Sequence, residues 1–147
     1  KVLLRMIFMG VGIALGCRAD GTRRTRNNRR SASVIAVIFE VVPAPGRKDA
    51  YLAMAASLRS RLERMDGFVS VERFQSLTDP NKLLSLSFWR DEEAVCRWRA
   101  LEEHRQAQHA GRERMFADYR LRVATVLRDY GKNERGEAPK DSRAVHG

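Results

Sequence analysis

Residues 68–89 read FVSVERFQSLTDPNKLLSLSFW, two runs of strand chemistry divided by Thr78-Asp79-Pro80-Asn81. Pro fixes its own φ, and Asp and Asn side chains bond the neighbouring backbone, so this tetrapeptide supplies a turn and the flanking runs pair as an antiparallel hairpin. Alternation divides the second run into two faces. Leu84, Leu86 and Phe88 point one way, and Leu83, Ser85, Ser87 and Trp89 the other. The second face, small and polar with an indole at its end, has the composition of a pocket wall.

Upstream, residues 33–42 (SVIAVIFEVV) form a β-branched and aromatic run closed by Pro43-Ala44-Pro45-Gly46, which marks a strand and its end. From Arg47 the apolar residues Tyr51, Met54, Ala55, Leu58 and Leu62 recur at spacings of three and four, opposite Arg59, Arg61, Glu63 and Arg64. That is an amphipathic helix, and it stops near Asp66-Gly67, where glycine tolerates the left-handed backbone that ends helices. Downstream, Asp91-Glu92-Glu93 suits the positive end of a helix that continues through Ala94, Val95, Trp98 and Leu101. Periodicity slips near Leu101 to His104, so Glu102 to Phe116 is read as a second helical segment after a bend, with Gly111 unfavourable inside it. Tyr119, Leu121, Val123, Thr125 and Leu127 then alternate with Arg120, Arg122, Ala124, Val126 and Arg128 as a last strand ending at Asp129-Tyr130-Gly131.

The order β-α-β-β-α-β is the split βαβ unit of the ferredoxin-like folds, so the sequence predicts an α+β domain with an antiparallel sheet over residues 33–131. Helices on one face leave the other face, partly apolar, in need of cover. Two copies packed face to face would bury it, which predicts a two-fold homodimer.

The net charge of +10 is concentrated outside that domain. Residues 1–30 carry eight Lys or Arg against the single acid Asp20, whereas bases and acids are nearly balanced along residues 31–131. A phosphate-binding surface needs its cations gathered on one folded face, so nucleic acid is not an expected partner. Residues 1–32 are read as a leader or extension without a fold of its own. An apolar stretch from Met6 to Gly16, ending at Ala14-Leu15-Gly16-Cys17, has some outline of a bacterial lipoprotein signal, but Ala14 and Leu15 are misplaced for it; a cytoplasmic location is expected, with export the alternative. Residues 132–147 show no periodicity and are read as a disordered tail. No apolar run approaches the roughly 20 residues that span a bilayer. The two cysteines, Cys17 and Cys96, have neither CxxC spacing nor the number that a framework of bridges needs.

Three His and two Cys lie scattered without ligand spacing, so no metal site is expected. There is no glycine-rich phosphate loop, GxSxG elbow or dinucleotide fingerprint. His104 lies near the helix junction, where a neutral imidazole could shuttle a proton or ligate iron; the plainer reading is a surface or capping histidine. Trp89 and Trp98 suit an aromatic wall or the core under a helix, and Phe39, Phe116 and Tyr119 are secondary wall candidates. Arg112, after Gly111, could anchor an acidic or phenolate group or simply face water.

The stretch Ser87 to Arg112, SFWRDEEAVCRWRALEEHRQAQHAGR, resembles the antibiotic biosynthesis monooxygenase family. The resemblance rests on Trp89, the acidic helix start, Ala94, Trp98, His104 six residues later, and Ala107-Gln108 before Gly111-Arg112, and it extends in element order over residues 33–131. It implies a dimeric α+β barrel. It also implies either cofactor-independent oxygenation of aromatic phenols or quinols, or haem binding and degradation. Two departures bear on this. Where the aromatic oxygenases carry an Asn and a Tyr around the first Trp, this chain has Ser85 and Val95; where haem degraders carry a first-strand Asn, it has Val37. The leading expectation is a monooxygenase acting with O2 on a small aromatic phenol or quinol without a cofactor. His104 and Trp98 would be the catalytic pair, and Trp89, Arg112, Phe39, Phe116 and Tyr119 would bind substrate. The alternatives are a haem protein with His104 on iron, and a dimeric binder without turnover.

Overall fold

The structure, a computed structural model, describes residues 33–146. The leader read over residues 1–32 lies outside them. The elements are β1 (Ile35–Pro43), α1 (Lys48–Ser57), α2 (Arg59–Leu62), β2 (Phe68–Gln75), β3 (Leu83–Trp89), α3 (Glu92–Ala100), α4 (Glu102–Ala110), a π-helical turn (Gly111–Met115), β4 (Phe116–Thr125) and α5 (Lys140–His146). The four strands form one sheet in the order β2-β3-β1-β4. Every pairing is antiparallel, and this is the ferredoxin-like arrangement that the element order predicts.

The helical regions differ from the periodicity in their breaks. The first helix is divided at Leu58, whose backbone remains right-handed between α1 and α2. The second break, between α3 and α4, falls at Leu101, which is extended (φ −63°, ψ 136°). Phe116, expected to close the long helix, opens β4 instead, because the π turn ends the helical stretch at Met115 and Phe116 pairs with Pro43 across a register shift. Beyond the sheet, where the sequence shows no periodicity, Lys140–His146 is helical and Ala138 is buried.

Two glycine and acid positions fix how α3 leaves the sheet. Gly67 has φ +84°, and a Cβ there would stand 2.6 Å from the Ala94 Cβ, so only glycine permits this approach of β2 to α3. Asp91 caps α3 by accepting the Ala94 N–H at 2.7 Å, while Arg90 grips Asp66 with two bonds of 2.7 and 2.8 Å.

Ile35, Leu62, Trp89, Ala94, Val95 and Trp98 form one buried cluster, and Val41, Tyr51 and Leu83 a second. Burying each large side chain contributes about 1.5–3 kcal/mol. Both clusters belong to the helix-facing side of the sheet, with Val37, Phe39, Ser85 and Ser87 between them in register on β1 and β3. No helix among the described residues is long and apolar enough to cross a membrane.

Candidate active site

Between the two clusters the helices stand off the sheet and leave a cavity of about 220 Å³. Its floor is the inward row of the strands: Val37 and Phe39 of β1, Ser85, Ser87 and Trp89 of β3, Leu121 and Val123 of β4, and Val71 and Arg73 of β2. The serines keep this floor open, because they replace the bulk that a core strand would carry. Ser87 also accepts the Trp89 indole N–H at 3.0 Å, which locks that ring in place. The roof comes from α1, α3 and α4, through Tyr51, Met54, Val95, Trp98, His104 and Gln108 among others.

The chemistry gathers where α3 meets α4. The extended Leu101 lets α4 start at a new angle, and the His104 imidazole lies stacked on the Trp98 indole, with centroids 4.6 Å apart and planes 29° apart. Trp98 in turn packs on Trp89 at 6.3 Å, and Trp89 takes the Phe68 ring edge-on at 5.5 Å. Burial lowers the His104 pKa from 6.5 to about 4; the nearby Arg99 cation pushes the same way, and a bond with the Trp98 backbone opposes them. The imidazole is therefore neutral at physiological pH and keeps a lone pair for a proton. Gln108 Nε2 lies 3.3 Å from His104 Nδ1, so this carboxamide can donate to a lone pair there or, turned over, accept a proton held there.

Of the residues singled out in the sequence, His104, Trp98, Trp89, Phe39 and Phe116 border this cavity. Tyr119 does not border it. Its ring packs on Phe39 and Phe116, 5.9 Å from each, and the residue borders a polar hollow with Glu40, Lys82 and Arg122 instead. Arg112 is exposed, donates to the Gln108 carbonyl at 3.3 Å, which ties the end of α4 to the π turn, and is not among the residues that line the cavity. His109 is exposed and faces Glu113 at 3.3 Å. Ser85 and Val95, where related oxygenases carry Asn and Tyr, both line the cavity, as does Val37.

Three polar residues here escaped the sequence reading: Arg73, Tyr51 as a hydroxyl, and Arg99. Tyr51 is 4% exposed; burial raises its pKa, and the nearby Arg73 guanidinium works against that rise. Among the described residues, no group of three or more His, Cys, Asp or Glu could hold a metal ion.

The family model of antibiotic biosynthesis monooxygenase matches residues 34–110. A jasmonate monooxygenase ABM of Pyricularia oryzae is 46% identical over 101 residues, which make up 69% of this chain and 47% of that protein. The chain thus spans about half the length of that relative. Among solved structures, Rv0793 from Mycobacterium tuberculosis superposes with a TM-score of 0.61 at 19% identity, over 67% of this chain and 100% of that one. SnoaB, a cofactor-independent oxygenase from Streptomyces nogalater, superposes with a TM-score of 0.59 at 16% identity, over 67% and 97%. At these identities the two solved structures show a shared fold.

Proposed function

The chain belongs to the antibiotic biosynthesis monooxygenase family, and from that premise we propose that it is a cofactor-independent monooxygenase of a small, electron-rich ring compound such as a phenol or quinol. The observation that carries this reading is the neutral His104 imidazole, stacked on Trp98 at the wall of an apolar cavity.

His104 takes the acidic proton of the substrate. A base with so low a pKa is weak against free solvent, but the anion it creates stays beside the new imidazolium in a medium of low dielectric, and that ion pair offsets the cost of protonation. The carbanion or phenolate then gives one electron to O2. The resulting radical and superoxide combine to form the C–O bond, and the imidazolium returns its proton to the peroxide oxygen. Loss of water leaves a carbonyl, so a CH2 or equivalent carbon plus O2 becomes C=O plus H2O with electrons balanced by substrate alone. Trp89, Trp98, Phe39 and Phe116 hold the ring by their faces and edges, and the apolar lining limits water beside the radical pair.

The partner of the reaction site is a second copy of the chain. The sheet face turned away from the helices carries Ala36, Ile38, Leu84, Leu86 and Phe88 in register, with Phe74 beside them 42% exposed, a surface suited to closing a two-fold barrel.

The direct test is O2 uptake by the purified full chain with a panel of phenols and quinols, without added metal, haem or reductant, followed by 18O2 labelling. One labelled oxygen in the product is expected, together with a loss of about 100-fold or more in kcat for His104→Gln. Uptake that the variant retains, or that appears only with added haem, would overturn the reading. Tight ligand binding with no uptake at all would leave a binder without turnover.

A further inference from the structure

The part of the cavity formed by β2 and the middle of β3 carries a positive charge on Arg73. Arg73 lies directly across from Ser85 in the β2–β3 ladder, on the face turned to the helices, and Ser85 lies across from Phe39 on its other side. Its positive charge is felt at the Tyr51 hydroxyl, and its Nε is buried and has no hydrogen-bond partner. Arg73 is half-buried in the wall of a cavity that Met54, Leu58, Phe116 and Val71 also line, and a cation there with a dry, unpartnered Nε favours an anion beside it. Nothing lining the cavity supplies one. Among the described residues its charged side chains are Arg73 and Arg99, with no Asp or Glu.

We propose that Arg73, together with the hydroxyls of Tyr51 and Ser85, is a subsite for a carboxylate carried by the substrate. A single guanidinium with two hydroxyl donors balances the one negative charge of a carboxylate. Ser85 and Trp89 are four residues apart on β3, roughly 13 Å of strand. The carboxylate subsite and the Trp89–Trp98–His104 group therefore occupy different parts of the cavity, and anchoring the acid at one orients the ring at the other. The subsite rests on the oxygenase reading only for naming its ligand a substrate; the binding of a ring carboxylate is a separate property of the cavity.

The test is calorimetric titration of the full chain near pH 7.5 with 3-phenylpropionate and with its primary amide, which has the same ring and chain but no charge. The acid is expected to bind about tenfold or more tightly than the amide. Arg73→Gln should bring that ratio close to one by weakening the acid alone, and Arg73→Lys should restore part of it. Equal binding of acid and amide by the wild-type chain, no binding of the acid at millimolar concentration, or a preference for the acid that survives in Arg73→Gln would each overturn the subsite. Should Arg73→Gln not fold, the wild-type ratio and Arg73→Lys still decide. No turnover is needed, so a chain that prefers the acid but consumes no O2 refutes the oxygenase reading alone, and an active oxygenase without the preference refutes only the subsite.

Discussion

His104 joins the chemistry of the site to the stability of the fold. Its pKa in the folded chain, about 4, lies below its ordinary 6.5, so as pH falls the unfolded chain takes up the proton first. The stability gained by keeping the ring neutral is complete above pH 6.5 and is lost between pH 6.5 and about 4. The shift corresponds to a loss on the order of 3 kcal/mol. Urea unfolding at pH 7.5 and 4.5 should show this slope in the wild-type chain and a flatter one in His104→Gln; parallel slopes would mean that the imidazole is not held neutral. Asp66 and Asp91, whose carboxyls Arg90 holds below their ordinary range, lose their contribution at lower pH, below their unfolded value of 3.8. The position of His104 near a helix junction was legible in the sequence. Its stacking on Trp98 was not, because it depends on the angle at which α4 leaves Leu101.

Among the elements, the hairpin and the start of α3 were the most legible, since a turn sequence, strand alternation and an acidic cap each have one local cause. Replacing Asp91 by Ala should lower stability by about 1 kcal/mol, because the Ala94 N–H loses its acceptor at 2.7 Å. Gly67→Ala should cost more, since it combines a left-handed backbone penalty of roughly 1–2 kcal/mol with the contact against Ala94. Thermal melts that rank the two in the opposite order would contradict this account of the β2–α3 approach. Arg73 was missed for a reason of register. Phe68 packs against Trp89 in the core, and strict alternation from Phe68 sends Arg73 to solvent. The bulge between Phe68 and Ser70 resets the phase, so that Val71 and Arg73 face inward and Val69 is 56% exposed. A break of this kind is set by pairing with β3 and leaves no mark in the residues of β2. Similarly, the periodicity of α4 gave no sign that the π turn would hand Phe116 to the sheet.

For the whole molecule, alternation divided the sheet into two faces, one that shapes the cavity and one that carries Ala36, Ile38, Leu84, Leu86 and Phe88. If a second copy covers the outer face, Leu86→Glu should yield monomers in light scattering where the wild-type chain gives dimers, because a carboxylate buried there has no cation beside it. A wild-type chain that is already monomeric would end the barrel reading. The placement of the indoles carries a further consequence. The chain has two tryptophans, Trp89 and Trp98, and both stand in the cavity wall within ring contact of each other. All of its indole emission therefore originates in the site. Because Trp98 lies face to face with His104, that emission is an intrinsic optical probe of the imidazole's proton and of whatever ring is drawn in beside it, with no label attached.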